Sequence, residues 1–482
     1  MSIAIRAAIA ALLVAAVAFG GALYVGFRTG ESAAQTSYDS TANKVASIDL
    51  SGLLGAVGQD GELVTLAFRE VERDYYRPVD AQTLVAGEHT GLMTYLHEYF
   101  QAKKVAVNPA LPQARAVGDQ TQDLHLLDSQ LAYAQDHYAQ YLGKDGRTQL
   151  TEAALDGMLG SLKDPYTVYL SPDQIRALNE QLDGGNFGGI GVFIYQLQDG
   201  RVLLQPIEGL PAARAGMRGD EIVVTIDGLP VSGKPLDQVE RMIRGPEGTM
   251  VSIRTKPYGG KTARDFRITR EIIHVPTVHQ KMESGYNYIR LSDFGQTSAD
   301  EVRKALLAGE KAGAKGTILD LRDNGGGLLD AAVNISSYFI PRGVVVTEID
   351  RAGRRESHYA NGNTIPGGRP LVILVNGYTA SASEITSGAL QDYKIATLIG
   401  TKTFGKGVVQ GIFTMPNGGA LKITTQRYVT PLGRDIQHKG IEPDIVVSQC
   451  PGAARCPEAT LIDTPRDRQL AAAKAFLSRL TR

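Results

Sequence analysis

The 482-residue chain has a formal net charge of −1, eight histidines and only two cysteines. A charge balance this close to zero creates no field that would draw in nucleic acid or an anionic membrane surface, so nucleic-acid binding is set aside. Cys450 and Cys456 flank Pro451 and Gly452, and no other cysteine or histidine stands nearby at zinc-like spacing. No metal site and no cofactor is therefore expected. In an exported chain the two cysteines would close a small disulfide loop, with two free thiols as the alternative. Histidine is also missing where a Ser-His-Asp triad would need it. His358 lies among Arg354, Arg355 and Glu356, and His438 follows Gln437 in a polar turn, so both read as surface residues.

A phosphate-binding loop is excluded as well. Residues 400–406 have the spacing Gly-x-x-x-x-Gly-Lys, but residue 407 is glycine where that motif needs Ser or Thr. Residues 408–413 read as a strand where it needs a helix.

One long apolar run is present. Residues 7–27 are uncharged and bracketed by Arg6 and Arg28, about the length that crosses a bilayer as a helix. Residues 1–30 are read as a single membrane anchor, with the body translocated to the periplasmic, extracytoplasmic side. The alternative is a cleaved signal peptide, for which Ser32-Ala33-Ala34 would supply the small-residue cleavage site. Residues 31–60, rich in Ser, Thr, Ala and Gly, form a spacer.

The rest of the chain changes texture twice. Residues 61–180 carry apolar residues at helical spacing over 66–76, 86–100 and 123–142, interrupted by a proline-bearing stretch at 105–113. Two of its pieces, 75–96 and 138–162, look loosely alike and are read as a repeat. Residues 181–275 open on a glycine-rich loop and alternate short strands with turns and two helices. Residues 276–448 alternate strands and helices, which implies an α/β layer with partly parallel strands in a mixed sheet. Residues 449–482 are a tail with the cysteine loop and a final helix. The fold class is α/β multidomain: anchor, helical arm, small β-rich domain and α/β core.

Within the core, residues 370–376 read as a buried strand and 383–385 open a helix, so Ser381 lies in the connecting turn. The free amides at that helix start, including that of Ala382, would face a carbonyl oxygen that becomes negative. The competing reading makes Thr379, Ser381 and Ser383 helix caps. Lys406 sits in Thr-Phe-Gly-Lys-Gly at 403–407, with Phe404, Val408 and Val409 as candidate apolar walls. Buried there, it would favour the neutral amine and could take the proton of a serine hydroxyl. Gln410, four residues on, shares a strand face with Lys406 and could orient the amine. Gly325-Gly326-Gly327 exposes backbone donors suited to an oxyanion hole, or is a flexible turn. Asp392 is either a network partner of Ser381 or an exposed helix carboxylate.

With these residues in place, the chain resembles the carboxyl-terminal processing proteases, also called tail-specific proteases. The resemblance rests on residues 164–172, 188–192, 244–249, 320–327, 379–384, 403–410 and 440–444, in the family's order. It implies that Ser381 is the nucleophile, Lys406 the general base and Gln410 its positioner, with Gly326 or Gly327 and Ala382 as oxyanion donors. It implies a PDZ domain whose loop at Gly189, Ile190, Gly191 and Val192 captures a substrate's C-terminal carboxylate while the peptide adds as a strand. Arg244 would couple that domain to the active site, or is a plain surface residue. The expected partners are proteins with free C-termini and the membrane, with a homo-oligomer and a regulatory adaptor as further candidates. The chain departs from the family pattern at Thr379, at Asn324-Gly-Gly-Gly and in the length of 63–145. The expected activity is serine endopeptidase cleavage near a C-terminus; the alternative is a PDZ scaffold with an unused protease core.

Overall fold

The computed structural model describes residues 59–481 apart from 114, 183–186, 198, 220, 235, 259, 261, 274–275, 366–367 and 452–460. The expected anchor, nearly all of the spacer and Cys456 lie outside the described residues. Among the described residues, no helix is long and apolar enough to cross a membrane. One compact unit holds residues 178–279 with 295–301; the helical region and the α/β core share the other.

The helical region runs α1 (Gln59–Asp74), α2 (Ala81–Lys103), α3 (Gln120–Tyr138) and α4 (Gly146–Gly160). Asp80 and Asp119 begin α2 and α3 as N-caps, accepting hydrogen bonds from Thr83 N at 2.8 Å and Gln122 N at 3.0 Å. Lys104, at φ 55°, closes α2 ahead of the proline-bearing stretch. The two look-alike segments meet through their glycines, because a Cβ on Gly157 of α4 would lie 2.5 Å from Gly91 Cα and 2.4 Å from Gly87 O of α2. The backbones touch where no side chain stands between them. The helices' apolar faces then join Tyr169, Met415, Leu421 and Ile423 of a β-sheet in one cluster, which is why helical region and core form a single unit. After β1 (Val168–Leu170) the chain enters α5 (Pro172–Leu182).

The second unit contains β2 (Phe187–Gly189), β3 (Val192–Gln196), β4 (Val202–Pro206), α6 (Pro211–Arg214), β5 (Glu221–Ile226), β6 (Leu229–Pro230), α7 (Leu236–Ile243), β7 (Met250–Pro257), β8 (Arg264–Thr269) and β9 (Glu271–Ile273). Its sheet has the order β3-β4-β5-β7-β8, so β3 is an edge strand. Ile190, Val202, Leu204, Val239, Ile243, Val251 and Ile253 fill its core. The short pair β2–β9 was not expected, since three residues rich in glycine carry no periodic signal.

The α/β core comprises β10 (Val278–Glu283), β11 (Tyr286–Leu291), α8 (Ser298–Lys311), β12 (Thr317–Asp320), α9 (Leu329–Ser337), β13 (Val344–Ile349), β14 (Arg355–Tyr359), β15 (Leu371–Val375), α10 (Ala382–Asp392), β16 (Ala396–Gly400), β17 (Val408–Thr414), β18 (Ala420–Val429), β19 (Ile445–Val446) and α11 (Arg468–Leu480). One sheet runs β10-β11-β12-β15-β16-β19, with β11 through β19 parallel. Strand β15, Leu-Val-Ile-Leu-Val, is buried along its whole length, as a strand covered on both faces must be. Helix α11 lies against this sheet through Leu470, Ala473 and Leu477, which pack with Tyr286, Tyr288, Val372 and Leu374. The second sheet, β1-β18-β13-β14 with β17 on β18, is antiparallel. Strand β14 was not expected because its sequence, Arg-Glu-Ser-His-Tyr, is polar and lies at a sheet edge.

The α2–α4 crossing has a direct test. Gly157→Ala should lower stability by about 1–3 kcal/mol, the usual cost of forcing a group into a filled contact. Thermal unfolding of the variant, with Gly160→Ala as the control at a position that has open space, measures it.

Candidate active site

Ser381 ends the turn from β15 and starts α10. Its backbone, φ 56° and ψ −116°, lies in a region that L-residues rarely occupy, a strain of about 1–3 kcal/mol. A serine that merely caps a helix sits in the extended region and needs no such strain. Ser381 is thus the N-cap of α10, in a capping box with Glu384, but with a strained backbone that capping alone does not require. Ser381 is fully buried, at 0% exposure.

Lys406 is brought to this turn by one carboxylate. Glu384 in the first turn of α10 is fully buried and accepts hydrogen bonds from Ser381 N at 3.0 Å, Lys406 N at 2.9 Å, Gly405 N at 2.8 Å and Thr403 Oγ1 at 2.5 Å. Burial raises the Glu384 carboxyl above its usual range, and these hydrogen bonds oppose the rise. The Tyr428 hydroxyl, on β18, donates to Ser381 O at 3.2 Å and to Lys406 O. The glycines flanking Lys406 are required by close approach. A Cβ on Gly405, whose φ is +90°, would lie 2.7 Å from Gly440 N, and one on Gly407 would lie 2.8 Å from Gln437 N.

The Lys406 side chain is buried, and burial holds its amine well below the usual lysine range. The charge of Lys422 pushes it the same way, while Asp164 and Glu384 oppose. Lys422, on β18, is itself lowered to about 8 by burial, against the pull of Asp164. Val408 and Val409 are buried, as expected of walls, but Phe404 is 55% exposed. The wall comes instead from Tyr166, whose ring centroid lies 4.3 Å from Lys406 Nζ. Tyr166 belongs to the segment 164–167, which Asp164 ties by accepting from Tyr166 N at 3.0 Å and Thr167 Oγ1 at 2.8 Å. Thr167 Oγ1 then accepts from Thr424 N on β18 at 3.0 Å.

Gln410 is fully buried on β17, beside a bulge between Val409 and Gln410. Its Nε2 donates weakly to Thr424 Oγ1, 3.5 Å away, and its Oε1 is buried without a hydrogen-bond partner. The glycine loop lies against the turn at Ser381: a Cβ on Gly326 would be 2.9 Å from Ser381 Cβ and 2.8 Å from Ala382 N. The Gly326 N–H, however, donates to Asn324 Oδ1 at 2.8 Å, so the expected set of oxyanion donors reduces to Gly327 and Ala382. Asn324 also accepts at its carbonyl oxygen from Ala380 N at 3.1 Å and from Ser383 Oγ at 3.0 Å, knotting the loop to the start of α10.

Other expectations change. Asp392 is no exposed carboxylate: it pairs with Arg434 at 2.5 Å and accepts from Leu432 N at 2.9 Å, holding the turn after β18. His358 is not a surface residue but is half-buried, with Nε2 2.9 Å from the buried Glu348, which raises its pKa. Cys450 is disulfide-bonded. Glu384, Tyr428, Asn324, Tyr166 and Lys422 were not singled out from sequence. A signal existed for Glu384, because Ser381-Ala-Ser-Glu384 is a capping-box pattern.

In the second unit, Gly189 closes β2, Ile190 is buried, Gly191 turns at φ +70°, and Val192 opens β3. Between the free edge of β3 and α7 lies a cavity of about 210 Å³ lined by Ile190, Gly191, Val192, Ile194, Leu236 and Arg244. Arg244 forms an ion pair with Glu240 one turn earlier.

Comparison with known proteins agrees with this architecture. The profile of peptidase family S41 matches residues 285–447, that of the N-terminal domain of the activating protease CtpB residues 98–174, and that of the PDZ domain residues 202–256. A probable CtpA-like serine protease of Staphylococcus aureus (strain MRSA252) is 38% identical over 309 residues, 64% of this chain and 62% of that protein. That of Staphylococcus haemolyticus (strain JCSC1435) is 36% identical over 310 residues, with the same coverage. The match thus spans less than two thirds of those relatives. Among solved structures, the photosystem II D1 C-terminal processing protease is 28% identical and covers 81% of this chain and 94% of its own, with a TM-score of 0.45. The chain is thus a PDZ-bearing protein with a serine-peptidase domain of family S41. These domains and relatives are those that the resemblance to the carboxyl-terminal processing proteases implies.

The lysine pair yields a prediction. Lys422→Met removes a positive charge that disfavours protonation of Lys406, so Lys406 should hold its proton to higher pH. The pH profile of Ser381 labelling by a fluorophosphonate should then have its acidic limb displaced to higher pH. An unmoved limb, or one displaced to lower pH, would show that the Lys422 charge is not felt.

Proposed function

We propose that the protein is an extracytoplasmic, membrane-anchored serine endopeptidase that cleaves proteins near their C-termini with a Ser381/Lys406 pair. The observation that carries this reading is the buried Lys406, its amine held well below the ordinary range, in a loop joined through Glu384 to the strained Ser381. A neutral amine accepts the Ser381 Oγ proton, and the oxygen attacks the scissile carbonyl. The N–H groups of Gly327 and Ala382 take the oxyanion. Lys406 returns the proton to the leaving amine, and a water molecule activated the same way hydrolyses the acyl-enzyme. Gln410, with its unpartnered Oε1, holds the Lys406 amine.

The cavity beside β3 takes the substrate's C-terminal residues as an added strand, its carboxylate on the N–H groups of the loop at 189–192. The localisation rests on residues 7–27. Complete burial of Ser381 favours one other reading, a PDZ scaffold whose core is unused. On the protease reading the same burial means that the site opens before cleavage.

Two experiments separate these readings. Incubated with an unfolded protein ending in apolar residues, the full-length protein should cleave it. Ser381→Ala and Lys406→Arg should each lower the rate at least about 10³-fold, because arginine cannot act as the base. Cleavage by wild type at pH 8 should fall as pH drops through the lowered lysine pKa. No cleavage, or an active Lys406→Arg protein, would overturn the mechanism. A peptide with a free apolar C-terminus should bind at least about 10-fold more tightly than its amide, since the carboxylate carries charge-assisted hydrogen bonds. Equal affinities by calorimetry would remove the PDZ role.

A further inference from the structure

Arg322 is among the largest fully buried side chains in the protein, and the catalytic chemistry proposed above makes no use of it. It stands at the head of the glycine loop, immediately before Asp323 and Asn324. A guanidinium has five N–H donors in a fixed fork, and all five are used. Nε donates to Asp320 Oδ1 at 2.8 Å and Nη2 to Asp320 Oδ2 at 2.5 Å. The others leave the core for the C-terminal tail: Nη1 to Asp467 Oδ1 and Nη2 to Asp467 Oδ2, each 2.8 Å, and Nη1 to Gln469 Oε1 at 3.0 Å. Both acids are buried with it; Asp320 of β12 already balances the arginine charge, and the tail supplies the acceptors for the three remaining N–H groups, which would otherwise be buried without partners.

The tail acceptors are themselves fixed. Asp467 caps α11 by accepting from Leu470 N at 2.9 Å, and accepts from Asp463 N at 2.8 Å and Gln449 Nε2 at 2.7 Å. Gln469 Nε2 donates to Val447 O at 2.9 Å. Burial works against the Asp467 carboxyl, but the hydrogen bonds and charge of Arg322 bring it down to about 2, so the pair stays ionised at neutral pH. On the other side, the loop after Arg322 is stitched to the nucleophile turn. Asp323 Oδ1 accepts from Asn376 Nδ2 at 2.7 Å, and Thr379 Oγ1 donates to Leu321 O at 2.9 Å. Asn324 Oδ1 accepts from Gly326 N at 2.8 Å.

We infer that Asp467, with Gln469, is a positioning residue for the oxyanion loop, acting through Arg322. Both residues lie beyond the S41 match, which ends at 447. The inference rests on the protease reading for its kinetic consequence, but not for its structural one.

The test compares three full-length variants. Asp467→Asn removes one of the two carboxylates on Arg322 and turns one of its acceptor oxygens into a donor, Gln469→Ala removes one acceptor and no charge, and Leu477→Ala weakens the packing of α11 without touching Arg322. Misplacement of a catalytic loop by about 1 Å costs on the order of 10²-fold in rate. Asp467→Asn should therefore lower kcat about 10- to 100-fold and Gln469→Ala less, both with KM unchanged. Leu477→Ala should lower Tm and leave kcat at the wild-type value. Amide hydrogen exchange over 321–328, read without substrate, should accelerate in the first two variants and not in the third. Wild-type exchange in Asp467→Asn and Gln469→Ala overturns the inference, as does a kcat loss in Leu477→Ala equal to theirs. If Asp467→Asn does not fold, Gln469→Ala decides. If wild type cleaves nothing, the protease reading fails, while exchange still decides whether the tail holds the loop.

Discussion

A single buried carboxylate holds the site together. Glu384 accepts from the amide of the strained Ser381 and from the amides of Gly405 and Lys406, so the helix start and the lysine loop share one anchor. Thr403, whose hydroxyl also reaches Glu384, accepts from Ile441 N at 2.7 Å and thereby adds the segment around 440 to the same knot. These hydrogen bonds are placed where the backbone is under strain. The conformation of Ser381 persists because the surrounding groups determine it more than once: Glu384 at its amide, Tyr428 at its carbonyl oxygen, and Gly326 packed against its side chain.

The second constraint is the lysine. An unfolded lysine keeps its proton up to a pH of about 10.4, whereas the buried Lys406 sheds it far lower. Between those two values the unfolded chain binds more protons than the folded one, so this group's contribution to stability rises with pH and is unfavourable at neutrality. Lys422 adds a second buried amine to the same region. The helical cluster, which reaches Leu421 and Ile423 of β18, and the apolar parallel sheet must offset these costs.

Much of the fold was legible because the signals were local. The short strands within 181–275 and the alternating strands and helices within 276–448 stand where turn residues and periodicity place them. What escaped notice had no local signal: β14 is polar because it lies at an edge, and β2 and β9 are held by pairing across many residues. The turn after β15 and the glycines around Lys406 were legible as unusual local settings, and the structure joins the two through Glu384. Its supporting members were less so. Glu384 was written as a capping-box residue, but nothing in a single helix start implies that its carboxylate reaches a loop around residue 405. Lys422 sits in a strand of buried residues like any other, and Tyr166, rather than Phe404, supplies the ring beside Lys406.

The division has a physical cause. Sequence alone determined the α/β domain order, the glycine-dependent turns, the parallel core and the residues capable of the chemistry, since propensity, periodicity and close-approach glycines act over a few neighbours. Only the tertiary structure decided the protonation tendency of Lys406, the burial of Ser381, the commitment of the Gly326 amide to Asn324 and the clasp of Arg322 by a tail some 145 residues away. Desolvation and buried hydrogen bonding depend on which distant segments exclude water from a group, and that is a property of the packed chain.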